Sequence, residues 1–122
     1  MNKGYYITKA GKKVILEAAD TINVSNKDII ELVLPEGVKY VYCYNNQLTT
    51  LTLPEGVQTV YCDNNQLTTL TLPEGVQTVS CHHNQLKTLT LPEGVQTVWC
   101  DDLILDVNKY IGKEIDINIF CR

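Results

Sequence analysis

VQTVYCDNNQLTTLTLPEG, residues 57–75, is one of three consecutive copies of a 19-residue unit in this chain. The other two copies occupy 38–56 and 76–94, and a partial fourth copy begins at Val95 and keeps Cys100. Across the copies the unit is V-x-x-V-x-C-x-x-N-Q-L-x-x-L-x-L-P-E-G. A fixed period near 20 residues is typical of a solenoid, in which each repeat forms one coil of a stack. We therefore predict a single domain of stacked coils.

A degenerate copy of the unit precedes the full ones, at 19–37. It carries Lys27 at the position of the consensus Asn, and the following residues fit its apolar positions: Ala19, Ile22, Val24, Ile29, Leu32 and Leu34. Residues 1–18 contain two short strand-like segments, 5–8 and 14–17, on either side of a turn that contains Gly11. This pattern predicts a β-hairpin that caps the first coil.

The C-terminal segment 95–122 is predicted to contain the last partial coil and a cap of one helix and one strand. Asp102 is a suitable first residue for the helix and Gly112 a suitable stop. Residues 115–119 alternate isoleucine with polar residues, as in a half-buried strand. Departure from the consensus is expected here, because terminal units cover the exposed end of the core. Cys121 falls outside the 19-residue spacing of the other cysteines and is expected to lie outside their column.

The composition supports a strand-rich protein and excludes two kinds of partner. Val, Ile, Thr, Tyr, Phe and Trp fill 44 of the 122 positions, and these residue types favour strands. The net charge of −4 argues against binding to nucleic acid. Since no apolar run is long enough to cross a bilayer, we expect no membrane association. The odd number of cysteines and the lack of a hydrophobic leader favour an intracellular, cytoplasmic location.

The unit predicts how each coil folds. In Val-x-x-Val-x-Cys, residues two apart point inward, and strands of neighbouring coils would form a parallel sheet on the concave side. Short extended segments rich in threonine would form the convex side, and Leu-Pro-Glu-Gly would close the coil as a turn. Two ladders of identical residues are expected inside the stack, as reduced core thiols and as amides that satisfy turn backbone: Cys43, Cys62, Cys81, Cys100 and Asn46, Asn65, Asn84.

This pattern resembles the leucine-rich repeat family, whose core motif is L-x-x-L-x-L-x-x-N/C-x-L. Here the motif is V-x-x-V-x-C-x-x-N-x-L at 38–48, 57–67 and 76–86. The resemblance covers roughly 19–105, with cysteine in place of the last strand leucine. The style of the short, near-identical units is similar to that of repeat proteins from giant amoebal viruses and some bacteria, which would place the protein in the host cytoplasm if it is viral. The resemblance includes no catalytic motif.

The copies differ mainly at positions that face outward from the predicted sheet, whereas the convex side barely varies. These concave positions are the candidate partner-binding residues: Tyr42, Tyr44, Tyr61, Asp63, Ser80, His82, His83, Trp99 and Asp101. Exposed Tyr and Trp side chains often anchor interfaces. We therefore predict a non-enzymatic protein–protein interaction module that needs no cofactor and prefers a basic partner. The alternative explanation is drift among recently duplicated units.

The sequence offers three other functional interpretations. The row of Asp63, His82 and Asp101 offers ligands that suit a divalent metal, although side chains stacked in register form a line and not a tetrahedron. Ser80 with His82 and Asp101 does not make a hydrolase, because Ser80 and His82 lie on one strand and no oxyanion loop accompanies them. A structural role is the main rival: the end strand near 115–120 offers an edge for self-association into a weak homodimer.

Overall fold

The computed structural model describes residues 3–101 and, further along, the backbone of the strand Asn118–Cys121. The helix predicted to begin at Asp102 and end at Gly112 lies outside the described residues, as does most of the alternating segment 115–119.

The described residues form nine β-strands and no helix, in agreement with the predicted mainly-β class. The strands are β1 (Gly4–Thr8), β2 (Lys13–Leu16), β3 (Thr21–Asn23), β4 (Ile29–Val33), β5 (Tyr40–Tyr42), β6 (Thr59–Tyr61), β7 (Thr78–Ser80), β8 (Thr97–Cys100) and β9 (Asn118–Cys121). Six of them make one parallel sheet in the order β3-β5-β6-β7-β8-β9. The chain is a β-solenoid.

The sheet register follows the sequence period. Val41 pairs with Val60, Val60 with Val79, and Val79 with Val98. Each coil therefore contains 19 residues, and equivalent residues of successive coils are paired in adjacent strands. The outer walls of the full coils contain neither strand nor helix. Since each wall segment is short and rich in threonine, a helix would gain few internal hydrogen bonds there.

Glycine closes each coil because the turn requires a backbone conformation that other residues rarely adopt. Gly56 and Gly75 have φ angles of 93° and 95°, in the region where a Cβ atom is costly. Each follows Pro-Glu, and the proline fixes the backbone angle at the start of the turn. The Leu-Pro-Glu-Gly segment is therefore the turn that the sequence predicts.

The core is a continuous apolar column through the stack. Each full coil contributes two valines, one cysteine and three leucines; in the third coil these are Val57, Val60, Cys62, Leu67, Leu70 and Leu72. The degenerate first coil buries five of the six predicted residues. Ala19 is the exception and is exposed.

The N-terminal hairpin covers the outer wall of the first coil. β1 pairs antiparallel with β2, through the segments in which the sequence predicts a hairpin, and also with β4. This three-stranded sheet is separate from the parallel sheet and explains why β4 is the one outer-wall segment among the described coils that forms a strand. A side chain at Gly4 would collide with the carbonyl oxygen of Val33 and with Pro35. Glycine is therefore required for this contact.

The strand β9 corrects one prediction. Its backbone pairs with β8 in register, with Ile119 opposite Val98 and Cys121 opposite Cys100. Cys121 therefore continues the register of the cysteine column and does not stand outside it. The error arose because this last return takes 21 residues, from Cys100 to Cys121, whereas the full coils take 19.

Candidate interaction surface

The three asparagines Asn46, Asn65 and Asn84, here called the Asn ladder, join consecutive coils. The side-chain oxygen Oδ1 of Asn65 accepts a hydrogen bond from the backbone N–H of Leu48 in the preceding coil, at 3.0 Å. Its Nδ2 donates to the carbonyl oxygens of Cys43 and Cys62, both at 3.0 Å. Asn46 and Asn84 make the corresponding bonds. These amides satisfy buried backbone groups that no strand pairing reaches.

The four cysteines Cys43, Cys62, Cys81 and Cys100, here called the Cys column, are buried and form no disulfide. Burial raises the pKa of Cys43 to about 12, with the nearby Asp63 carboxylate adding to the shift. Burial also raises the pKa of Cys62 well above its usual value, with smaller contributions from Cys43, Cys81 and Asp63. Cys43 and Cys62 therefore stay protonated at neutral pH. Protonated thiols are poor nucleophiles and poor metal ligands, because the thiolate is the reactive form.

The side chains on the outer surface of the parallel sheet, here called the sheet face, include a run of aromatic rings. The rings of Tyr42 and Tyr61 meet edge to face, with centroids 5.2 Å apart and planes at 84°. Tyr61 also meets Trp99 at 6.2 Å and 79°, although Trp99 lies two coils further along. Serine stands between them at position 80. Because Ser80 is small, the two larger rings approach each other above it.

The surface around Ser80 forms an open depression of about 430 Å³, here called the Ser80 pocket, lined by Tyr61, Asp63, Asn64, Ser80, His82, His83 and Trp99. This volume lies within the range of about 300–1,000 Å³ that holds small ligands. The imidazoles of His82 and His83 meet edge to face at 6.1 Å. The pocket therefore combines aromatic walls with polar groups at its rim.

The carboxylate of Asp63 connects the pocket to the backbone beneath it. Its Oδ1 accepts hydrogen bonds from Ser80 Oγ at 2.7 Å and from the backbone N–H of His82 at 2.8 Å. Asp101 acts similarly one coil later, where its carboxylate accepts from the backbone N–H of His83 at 2.9 Å. Both aspartates therefore bind the backbone of coil 76–94, Asp63 from the coil before it and Asp101 from the coil after it.

This bonding argues against the metal hypothesis for Asp63, His82 and Asp101. Both carboxylates accept hydrogen bonds from backbone N–H groups. Within 3–101, no group of three or more His, Cys, Asp or Glu side chains is placed to hold a metal ion. Ser80 likewise donates its hydroxyl proton to Asp63, which is not the serine–histidine arrangement of a hydrolase.

The structure brings six of the nine predicted surface residues around one pocket and places the others nearby. The ring of Tyr42 contacts the ring of Tyr61, which lines the pocket, and the carboxylate of Asp101 accepts a hydrogen bond from the backbone N–H of His83. Tyr44 is half-buried and does not line the pocket.

Sequence reasoning missed two positions. Asn64 lines the pocket, although it is identical to Asn45 in the preceding coil and differs from His83 in the next. Phe120 occupies the place in the sheet next to Trp99 and extends the register of the aromatic run. The segment Ile119-Phe120-Cys121 matches Val-x-Cys of the unit, and that match was the available signal.

The bonding pattern and the sheet define the chain as a β-solenoid repeat protein with coils of about 19 residues. No protein-family model matches the chain, and no curated protein matches its sequence. Among the residues that the structure describes, no helix has the length and apolar character needed to cross a membrane.

Proposed function

We propose that this protein is a non-enzymatic recognition module that binds a protein partner through its sheet face. The observation that carries the proposal is the Ser80 pocket with its adjoining aromatic run, Tyr42, Tyr61 and Trp99. These rings are half-buried, so each keeps part of its surface available to a partner. Aromatic side chains in such positions supply much of the binding energy of protein interfaces.

The charge of the surface favours a basic partner. In the coils from 57 to 101, the sheet face carries the carboxylates of Asp63 and Asp101, and the single lysine, Lys87, lies on the exposed outer wall. Complementary charge speeds encounter and selects the partner. A partner with exposed arginine or lysine residues therefore fits this face better than an acidic one.

We also propose that the solenoid is a short-repeat relative of leucine-rich repeat proteins that works inside cells. The support is the parallel sheet, the Val-x-x-Val-x-Cys strand and the Asn ladder at the position of the family's Asn. The intracellular assignment is supported by the Cys column, since four buried thiols persist most readily in a reducing compartment.

Affinity capture from an extract of the native cell tests the recognition proposal. The bait is compared with the double variant Tyr61→Ala/Trp99→Ala, which removes two rings of the sheet face. The matched control is Thr69→Ala/Thr88→Ala, which removes two exposed side chains from the outer wall. We expect the first variant to lose at least one captured protein and the control to retain it, with both variants folded by circular dichroism. Equal partner sets for the parent and the aromatic variant would contradict the proposal.

A second candidate is self-assembly through the ends of the parallel sheet. β3 and β9 are its terminal strands, and among the described residues neither pairs with another strand on its outer side. Unpaired strand edges are templates for pairing with another chain. Light scattering over a concentration series tests this role: a mass that rises with concentration supports it, and a constant monomer mass at all concentrations contradicts it.

A further inference from the structure

The walls of the Ser80 pocket suit a flat group. Tyr61 and Trp99 stand with their ring planes at 79°, and the small side chain of Ser80 lies between the strands that carry them. The faces of aromatic rings carry partial negative charge and attract cations. A flat cation can therefore stack against one ring while its edge points toward the polar groups at the rim.

The charged group at the rim is Asp63. Its Oδ1 accepts the bonds from Ser80 and His82, whereas its Oδ2 accepts no hydrogen bond from the described residues. One carboxylate oxygen thus remains available to a ligand. Across 57–101 no lysine or arginine of this chain shares the sheet face, because Lys87 lies on the outer wall. Among the described residues that line it, the pocket contains a carboxylate and neither lysine nor arginine.

We propose that the Ser80 pocket receives the guanidinium group of an arginine side chain from the protein partner. This inference rests on the proposed recognition function and names the group that the face recognises. A guanidinium group is a planar, weakly hydrated cation that stacks on aromatic rings and donates hydrogen bonds from its edge to a carboxylate. A lysine ammonium has no plane to stack and holds its water more tightly. A carboxylate would be repelled by Asp63.

The chain carries its own probe for this binding. Trp99 is the only tryptophan of the protein and lines the pocket, so its fluorescence reports occupancy directly. The ligands are four blocked tripeptides, Gly-X-Gly, in which X is arginine, citrulline, lysine or glutamate. Citrulline keeps the shape of arginine and lacks its charge. Low ionic strength is used because salt screens exposed charges.

We expect the arginine peptide to change the Trp99 emission saturably, with a dissociation constant on the order of 1 mM for one side chain. Binding of the citrulline and lysine peptides should be at least about tenfold weaker, and the glutamate peptide should not bind. Equal response to arginine and citrulline, stronger binding of lysine or glutamate, or no response to any peptide would overturn the proposal.

Two variants place the effect in the pocket. Asp63→Asn keeps an oxygen for the bonds from Ser80 and His82 but removes the charge, and should weaken arginine binding about tenfold. Ser80→Tyr introduces the residue that occupies the equivalent positions 42 and 61, so the coil should still fold. The new ring should fill the pocket and abolish arginine binding. Lys87→Thr restores the consensus on the outer wall and should bind as the parent does. Unchanged arginine binding in Ser80→Tyr would contradict this placement.

Failure of this proposal can be told apart from failure of the recognition function. If Tyr61→Ala/Trp99→Ala loses a captured partner while the arginine peptide has no effect on Trp99, the sheet face binds a protein through another group. If the variant captures the same proteins as the parent, the recognition function itself is wrong.

Discussion

The coils 57–75 and 76–94 are nearly the same sequence, and their differences fall mostly in one place. They differ at four of 19 positions: Tyr61 becomes Ser80, Asp63 becomes His82, Asn64 becomes His83, and Thr68 becomes Lys87. All six residues of the first three pairs line the Ser80 pocket. Lys87 is exposed on the outer wall. The two coils therefore share one scaffold and diverge where they meet on the sheet face.

The comparison separates two demands on adjacent residues. Cys81 faces inward and has the same identity as Cys62, and both are fully buried. His82, its neighbour, faces outward and differs from Asp63. Inward positions must fit a stack of identical coils, since a change of volume or polarity leaves a cavity or an unpaired group. Outward positions do not have to fit between identical coils, so their residue types can change to suit a partner.

The largest expected effect comes from breaking a shared inward position. Asn65→Leu removes one accepted and two short donated hydrogen bonds to buried backbone groups. We expect a loss of about 3 kcal/mol in the free energy of unfolding, measured by urea denaturation. Gln66→Leu is the matched control, because this neighbouring side chain is exposed, and it should change stability by less than about 0.5 kcal/mol. Equal midpoints for Asn65→Leu and the parent would show that the Asn ladder does not hold the coils.

Much of the scaffold could be predicted from the sequence because the period imposes it. The 19-residue spacing fixes which residues become neighbours in the sheet, and Val-x-Cys fixes which of them face inward. Hence the parallel sheet, the reduced Cys column and the Asn ladder were all predicted. Cys121 was misplaced because its coil breaks the period, and pairing between strands depends on where the chain returns and not on spacing alone.

The site was predictable only in part. Variation among copies identified the outward residues, but not that Tyr61 and Trp99 would meet across Ser80, since that contact skips one coil. The hydrogen bonds that Asp63 and Asp101 accept from the backbone N–H groups of His82 and His83 in coil 76–94 were also missed. The sequence shows the charge of an aspartate but not its hydrogen-bond partner. For this reason Asp63, His82 and Asp101 resembled a set of metal ligands.

The Cys column gives the next effect, which depends on pH. The pKa of Cys43 is raised to about 12 and that of Cys62 also lies well above its usual value. A raised acid pKa means that these thiols stay protonated in the folded protein, while the unfolded chain releases their protons above pH ~9. Stability is therefore present below pH ~9 and is lost as the pH rises toward 12, by about 1.4 kcal/mol per pH unit for each thiol.

Urea midpoints between pH 8 and 11 measure this loss, and Cys43→Ala supplies the comparison. Removal of one thiol should reduce the slope of stability against pH, even though the variant is less stable at every pH. Contributions that parent and variant share cancel in the comparison. Identical slopes would mean that the Cys43 thiol does not titrate on unfolding in this range.

A small effect should come from an outward position that also carries backbone strain. His83 has a φ of 60°, and the equivalent residues Asn45 and Asn64 have 57° and 56°. Asparagine tolerates this left-handed conformation well. Asn45 also donates a side-chain hydrogen bond to Asn26 at 2.8 Å, and an asparagine at 83 would stand beside Asn64 in the same way. We expect His83→Asn to stabilise the fold by about 0.5 kcal/mol, whereas Lys87→Thr should leave the urea midpoint unchanged.

The central claim is that the differences between the two coils form the binding site. The most direct measurement compares the affinity of the captured partner for the parent, for Ser80→Tyr/His82→Asp/His83→Asn and for Lys87→Thr. The triple variant makes the sheet face of coil 76–94 a copy of coil 57–75 and should keep the fold. We predict that it loses binding at least about tenfold, whereas Lys87→Thr binds as the parent does. A folded triple variant with the parent's affinity would contradict the claim.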